Sequence, residues 1–135
     1  MDREVPIKLC KELGEWAELR LMVRAAEEGL RAAKPYGEST SYDFIVEHKR
    51  RFLQVQVKAT RSKQCNSYYC HVRRSHRAAY TREHIDFIAA YLVPRDIWYI
   101  IPLEKAGTDM IVLSPDLATS KHAAYKEAWH LLRGD

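Results

Sequence analysis

The sequence predicts an α/β fold, a mixed β-sheet flanked by α-helices, in a single domain over residues 1–135. Three observations carry this expectation. Apolar residues in the first thirty positions recur every three or four residues, as on an amphipathic helix. Between Tyr42 and Ala59 two short segments alternate apolar and polar residues, as strands do. Two nearly continuous apolar runs, Ile85–Leu92 and Ile97–Ile101, follow on either side of Pro94 and Asp96 and read as buried strands joined by a turn.

The elements follow in order. The first helix is expected from Leu9 to about Ala33, with Leu9, Leu13, Trp16, Leu19, Val23, Ala26 and Leu30 as its stripe and Gly29 loosening its last turn. Strand 1 covers about Tyr42–Glu47 and strand 2 about Arg51–Ala59, with Lys49, Arg50 and Arg51 as a charged turn. Strand 3 is expected over Tyr68–Arg73, and Asp109–Leu113 adds a short strand. Ser114, Pro115 and Asp116 carry the signature of a helix start, so a final helix, broken near Thr119–Lys121, is expected to reach Arg133.

Composition narrows the function classes. The chain has 135 residues, 47% of them hydrophobic, enough for one core. No apolar run approaches the roughly 18 residues of a membrane span, and no basic-then-apolar leader opens the sequence. Three cysteines at irregular spacing point to a reducing, cytoplasmic setting rather than a disulfide framework. The net charge is only +4, but Lys58, Arg61, Lys63, Arg73, Arg74, Arg77 and Arg82 fall in a stretch with no Asp or Glu. Such a patch attracts phosphate backbones, or it is simply a solvated basic face. Tyr68, Tyr69 and Tyr80 interleave it and favour nucleic acid.

The residues with the most chemistry lie on strands 1 and 2. Side chains alternate along a strand, so Leu53, Val55 and Val57 form an apolar face while Gln56 and Lys58 point together to the other. A hairpin turn at Glu47–Arg51 brings Asp43 beside them. A carboxylate, an amide oxygen and an ammonium on one patch suit a Mg²⁺ and phosphate site. By contrast, Cys65, Cys70, His71 and His76 do not match zinc-ligand spacing, and Cys70 reads as a buried strand residue.

Asp43, the Gln56-x-Lys58 triplet and the Gly14-x-x-x-Glu18 segment together resemble the PD-(D/E)XK nuclease superfamily. The likeness spans nearly the whole chain and is nearest the small branch of group I intron-encoded homing endonucleases and Holliday junction resolvases. It implies a restriction-endonuclease-like core and a metal-dependent DNA endonuclease that hydrolyses phosphodiester bonds. It implies catalytic roles for Glu18, Asp43, Gln56 and Lys58, with Glu15 the alternative to Glu18 in register. It implies Mg²⁺, with Mn²⁺ as a substitute, held by Asp43, Gln56, Glu18 and the Val57 carbonyl. Gln56 stands where most members carry Asp or Glu, which leaves two carboxylates rather than three and opens the alternative of a weak or inactive DNA-binding module. A third alternative is a nuclease selective for branched DNA. Expected partners are double-stranded DNA and one or more further copies, as a homodimer or homotetramer, with no membrane. Thr60, Arg61, Lys63, Arg73, Arg74 and Arg77 are the candidate DNA contacts.

Overall fold

A computed structural model describes residues 2–37, 39–72, 85–107 and 109–135. Arg73, Arg74, His76, Arg77, Tyr80 and Arg82 therefore lie outside the described residues.

The first helix, α1, spans Cys10–Glu27 and is shorter than its composition suggests. Gly29 adopts a left-handed φ of 77°, and the amides of Gly29 and Leu30 turn back onto the carbonyls of Ala26 and Ala25 at 3.1 and 2.8 Å. This is a Schellman stop, in which glycine takes a conformation that a side chain would strain. The chain then forms strand β1, Arg31–Ala33, in place of the expected helical turn.

The buried stripe of α1 is Leu13, Ala17, Leu21 and Ala25, a strict i, i+4 row. It runs beside the expected one: Leu9, Leu19, Val23 and Ala26 are exposed, while Trp16 packs partly and Leu30 is buried just past the helix. The two alanines let the helix sit close to the sheet, a fit that larger residues would prevent.

Strands β2 (Phe44–His48) and β3 (Arg51–Thr60) form the expected hairpin. Its turn is Lys49-Arg50, both left-handed at φ 49° and 67°, and His48 pairs with Arg51. Strands β4 (Lys63–Gln64), β5 (Ser67–His71), β6 (Phe87–Leu92), β7 (Ile97–Pro102) and β8 (Met110–Leu113) follow.

Among the described residues these form two sheets where one mixed sheet was expected. The larger has the order β1-β2-β3-β6-β7 and is mixed, because β3 and β6 run parallel and its other pairs antiparallel. The smaller is β4-β5-β8, antiparallel throughout. Asp86 fixes the parallel junction: its amide donates to the Gln54 carbonyl and its carboxylate accepts the Gln54 amide, both at 2.8 Å.

The large sheet buries both faces. One face, with Phe44, Val46, Val55, Ala89, Tyr91 and Trp98, packs on α1 and the C-terminal Trp129 and Leu132. The other, with Ile88, Ala90, Leu92, Tyr99 and Ile101, packs on Tyr68, Cys70, Ile111 and Leu113 of the small sheet. Helices thus cover one face, and a second sheet covers the other.

The expected final helix is mostly absent. Only a 3₁₀ turn, Ala123–Tyr125, and a short α-helix, α2 (His130–Arg133), form. Tertiary bonds override the local helix signals here. Glu127 is left-handed, its amide bonds the Trp98 carbonyl at 2.7 Å, and its carboxylate accepts from the Trp98 amide, Trp129 Nε1 and Arg24.

Candidate active site

The β2–β3 register places the site. Phe44 lies opposite Val55, so the chain one residue earlier lies opposite Gln56. The Asp43 amide still pairs with the Val55 carbonyl at 2.9 Å, and the Val57 amide donates to Asp43 Oδ2 at 2.8 Å. Asp43 thus prolongs the ladder with its side chain just before β2 begins. Gln56 and Lys58 are in register with Ile88 and Ala90 on the face turned to the small sheet.

Burial pushes the Asp43 carboxyl above its ordinary range, the Val57 hydrogen bond opposes this, and the nearby charges of Glu18 (raising) and of Lys34 and Lys58 (lowering) also act on it. Glu18 reaches this point from α1, which covers the opposite face of the sheet. Asp43, Val57, Gln56, Lys58 and Glu18 therefore meet at one end of the sheet. Glu15 is exposed one turn earlier on α1.

Lys34 also stands here, and the sequence reading missed it. It follows β1, whose last residue Ala33 pairs with Ile45, so the strand delivers it beside Phe44 and Asp43. Its ammonium hydrogen-bonds Glu18 Oε1 and lies 4.8 Å from the centre of the Phe44 ring. The available signal was Gly29: read as a helix stop, it frees residues 31–34 to enter the sheet.

The donor set suits a hard divalent cation. Two carboxylates, the Gln56 amide oxygen and the Val57 carbonyl are all oxygen ligands. N–H and C=O of one strand residue point the same way, so the Val57 carbonyl shares the side on which its amide meets Asp43. Gln56 Nε2 lies 3.4 Å from that carbonyl oxygen, and a half-turn of the amide brings Oε1 there instead. Among the described residues, no group of three or more His, Cys, Asp or Glu gathers at all, and this site brings two carboxylates. Cys70 is buried, its thiol pushed up to about 12 by desolvation, whereas Cys65 and His71 are exposed.

Three of the expected DNA contacts also bond within the fold. Thr60 is buried; its hydroxyl donates to the Tyr69 carbonyl at 2.6 Å and accepts the Ser62 amide, so it ties the two sheets together and has no spare donor for a phosphate. Arg61 donates to the Val5, Ile7 and Lys8 carbonyls, and Lys63 pairs with Asp2 at 3.2 Å. Both hold the N-terminal segment against the body. Arg73, Arg74 and Arg77 lie outside the described residues.

Comparison with known proteins agrees with this architecture. The bacterial homing endonuclease I-Ssp6803I superposes with a TM-score of 0.79 at 26% identity, covering 95% of this chain and 94% of that one. Hjc, a Holliday junction resolvase from the archaeal hyperthermophile Archaeoglobus fulgidus, superposes at 0.59 and 16% identity over 89% of this chain and 95% of its own, and so shares the fold. No curated protein matches the chain. A sequence model of the PD-(D/E)XK endonuclease family matches residues 9–132, and on that match the chain belongs to the PD-(D/E)XK endonuclease family.

Proposed function

We propose that this nuclease is a Mg²⁺-dependent DNA endonuclease of the homing type, that Mn²⁺ replaces Mg²⁺, and that residues 1–135 act as one domain. The observation that carries this is the approach of Glu18 and Lys58 to Asp43 at the start of β2, beside the Val57 backbone. Glu18, Asp43, Gln56 and the Val57 carbonyl are the residues that hold the cation. When bound, a divalent cation makes water more acidic and offsets negative charge on the phosphate.

The chain's own groups do the rest. The Val57 amide fixes the Asp43 carboxylate, so one donor atom needs no reorganisation. Lys58 orients the attacking water and stabilises charge that builds on the phosphoryl oxygens. An open groove of about 360 Å³ leads to Lys58 past Cys10, Leu13, Tyr69 and His71, and gives a phosphodiester access to it. Attack at phosphorus with loss of the 3′ oxygen leaves a 5′-phosphate and a 3′-hydroxyl.

A chain of this size covers little duplex alone, since specific protein–DNA interfaces bury about 1,000–2,500 Å² of protein surface. Cutting both strands also needs two sites or two visits. The working species is therefore a homodimer or homotetramer. Among the described residues no helix is long and apolar enough to cross a membrane.

The deciding experiment is cleavage with Mg²⁺ or Mn²⁺ of a linear duplex and of a four-way junction, with Lys58→Ala as control. Duplex cleavage that disappears in the control supports the homing-type reading. Cleavage of the junction alone replaces it with a branched-DNA nuclease, and binding without cleavage replaces it with a DNA-binding module.

A further inference from the structure

We infer that Lys34 is an internal counter-ion of the active site, which a divalent cation must displace from Glu18 and which then turns to the DNA phosphate. The inference rests on the metal-site reading above. Its first support is position: the Lys34 ammonium lies on Glu18 Oε1, an oxygen that the cation requires. Its second is charge. Among the described residues, Glu18 and Asp43 bring two formal negative charges, Lys34 and Lys58 two positive ones, and Gln56 none, so these five groups balance.

A balanced set of charges offers a divalent cation no net attraction unless an ammonium withdraws or an anion arrives. Lys34 can withdraw. Its side chain is 52% exposed whereas that of Glu18 is 26%, and its stem comes from the end of a three-residue edge strand. The centre of the Phe44 ring already lies 4.8 Å from the ammonium, a contact that Lys34 keeps available when Glu18 is given up. Released from Glu18, it stands at the mouth of the site, where a phosphodiester supplies the missing negative charge. Cation and DNA thereby favour one another through Lys34, in addition to any oxygen that the DNA itself offers the cation.

The test is calorimetric titration of Mn²⁺ into the DNA-free protein, for wild type, Lys34→Met, Lys34→Arg and Asp43→Asn. Methionine keeps an unbranched stem over Phe44 and removes the charge. Lys34→Met should bind Mn²⁺ about fivefold more tightly than wild type, which corresponds to about 1 kcal/mol, while Lys34→Arg stays near wild type and Asp43→Asn binds far more weakly. Unchanged or weaker binding by Lys34→Met, with Asp43→Asn still impaired, overturns the counter-ion role and leaves the site reading intact. If Asp43→Asn binds as wild type does, both fall. A second measurement stands apart from the cation: in chelator, duplex affinity should change less than about twofold in Lys34→Met, because Lys34 remains committed to Glu18. A large loss there makes Lys34 a direct phosphate contact and overturns the inference.

Discussion

At the scale of single residues, the site depends on a few atoms with separable effects. Lys58→Ala should lower the cleavage rate by about 10²–10³, the usual cost of removing one preorganised charge-stabilising group, with little change in thermal stability. Single-turnover cleavage beside a melting curve checks both. Gln56→Glu should tighten Mn²⁺ binding if the amide oxygen is a ligand, since it adds a charge without changing shape; unchanged calorimetry places Gln56 outside the ligand set. A third prediction concerns the fold. Burial alone would raise the Asp96 carboxyl, but hydrogen bonds from Tyr91 and Arg20 outweigh it and hold the group below its ordinary range. A depressed folded-state value contributes stability above the unfolded value near 3.8, and that contribution disappears as pH falls through the folded value. The Asp96 side chain is 41% exposed, so screening limits the contribution to about 1 kcal/mol or less. Asp96→Asn, which tolerates the same left-handed backbone, should lower the melting temperature at pH 7, and the difference should shrink as pH falls below 3.8.

Elements differ in how plainly the sequence announces them. The β2–β3 hairpin and strands β6 and β7 were legible because alternation and long apolar runs are direct records of which faces are buried. With them came the placement of Asp43, Gln56 and Lys58 at one end of the sheet. The end of α1 was not legible, since Arg31, Ala32 and Ala33 are good helix formers and only the Gly29 backbone stops them; Lys34 was hidden behind that misplaced boundary. The C-terminal segment misled for another reason. Glu127 holds Trp98, Trp129 and Arg24 across the fold, and no local pattern encodes such contacts. Thr60, likewise, faces a partner nine residues away in the other sheet. The hairpin turn carries its own prediction. Lys49 and Arg50 both occupy left-handed conformations that suit Asn-Gly better. Replacing the pair with Asn-Gly should raise the melting temperature by about 2–4 °C and leave cleavage unchanged, which differential scanning calorimetry and a rate assay together test.

The whole molecule presents its charge unevenly, and that too is measurable. Seven basic residues without an acid occupy Lys58–Arg82, but Arg61 and Lys63 are tied to the N-terminal segment. Under the proposed function, Arg73, Arg74 and Arg77 are the remaining candidate duplex contacts of that stretch. Their triple alanine variant should lower the salt slope of binding by about three, one for each phosphate contact, and weaken all sequences alike. An unchanged slope moves the DNA surface elsewhere. Chain connectivity has a kinetic consequence as well. The strand β3 meets β2 through a two-residue turn, whereas its other neighbour, β6, arrives only after a long excursion through β4 and β5. Local pairings close within microseconds and distant ones wait on loop entropy. The hairpin bearing Asp43, Gln56 and Lys58 is thus a candidate for the folding nucleus. Turn substitutions there should speed refolding and hardly alter unfolding, giving φ-values near one, while changes at Asp86, which seals the later parallel pairing, should act mainly on the unfolding rate. The residues proposed to cut DNA would then be among the earliest in the chain to find their neighbours.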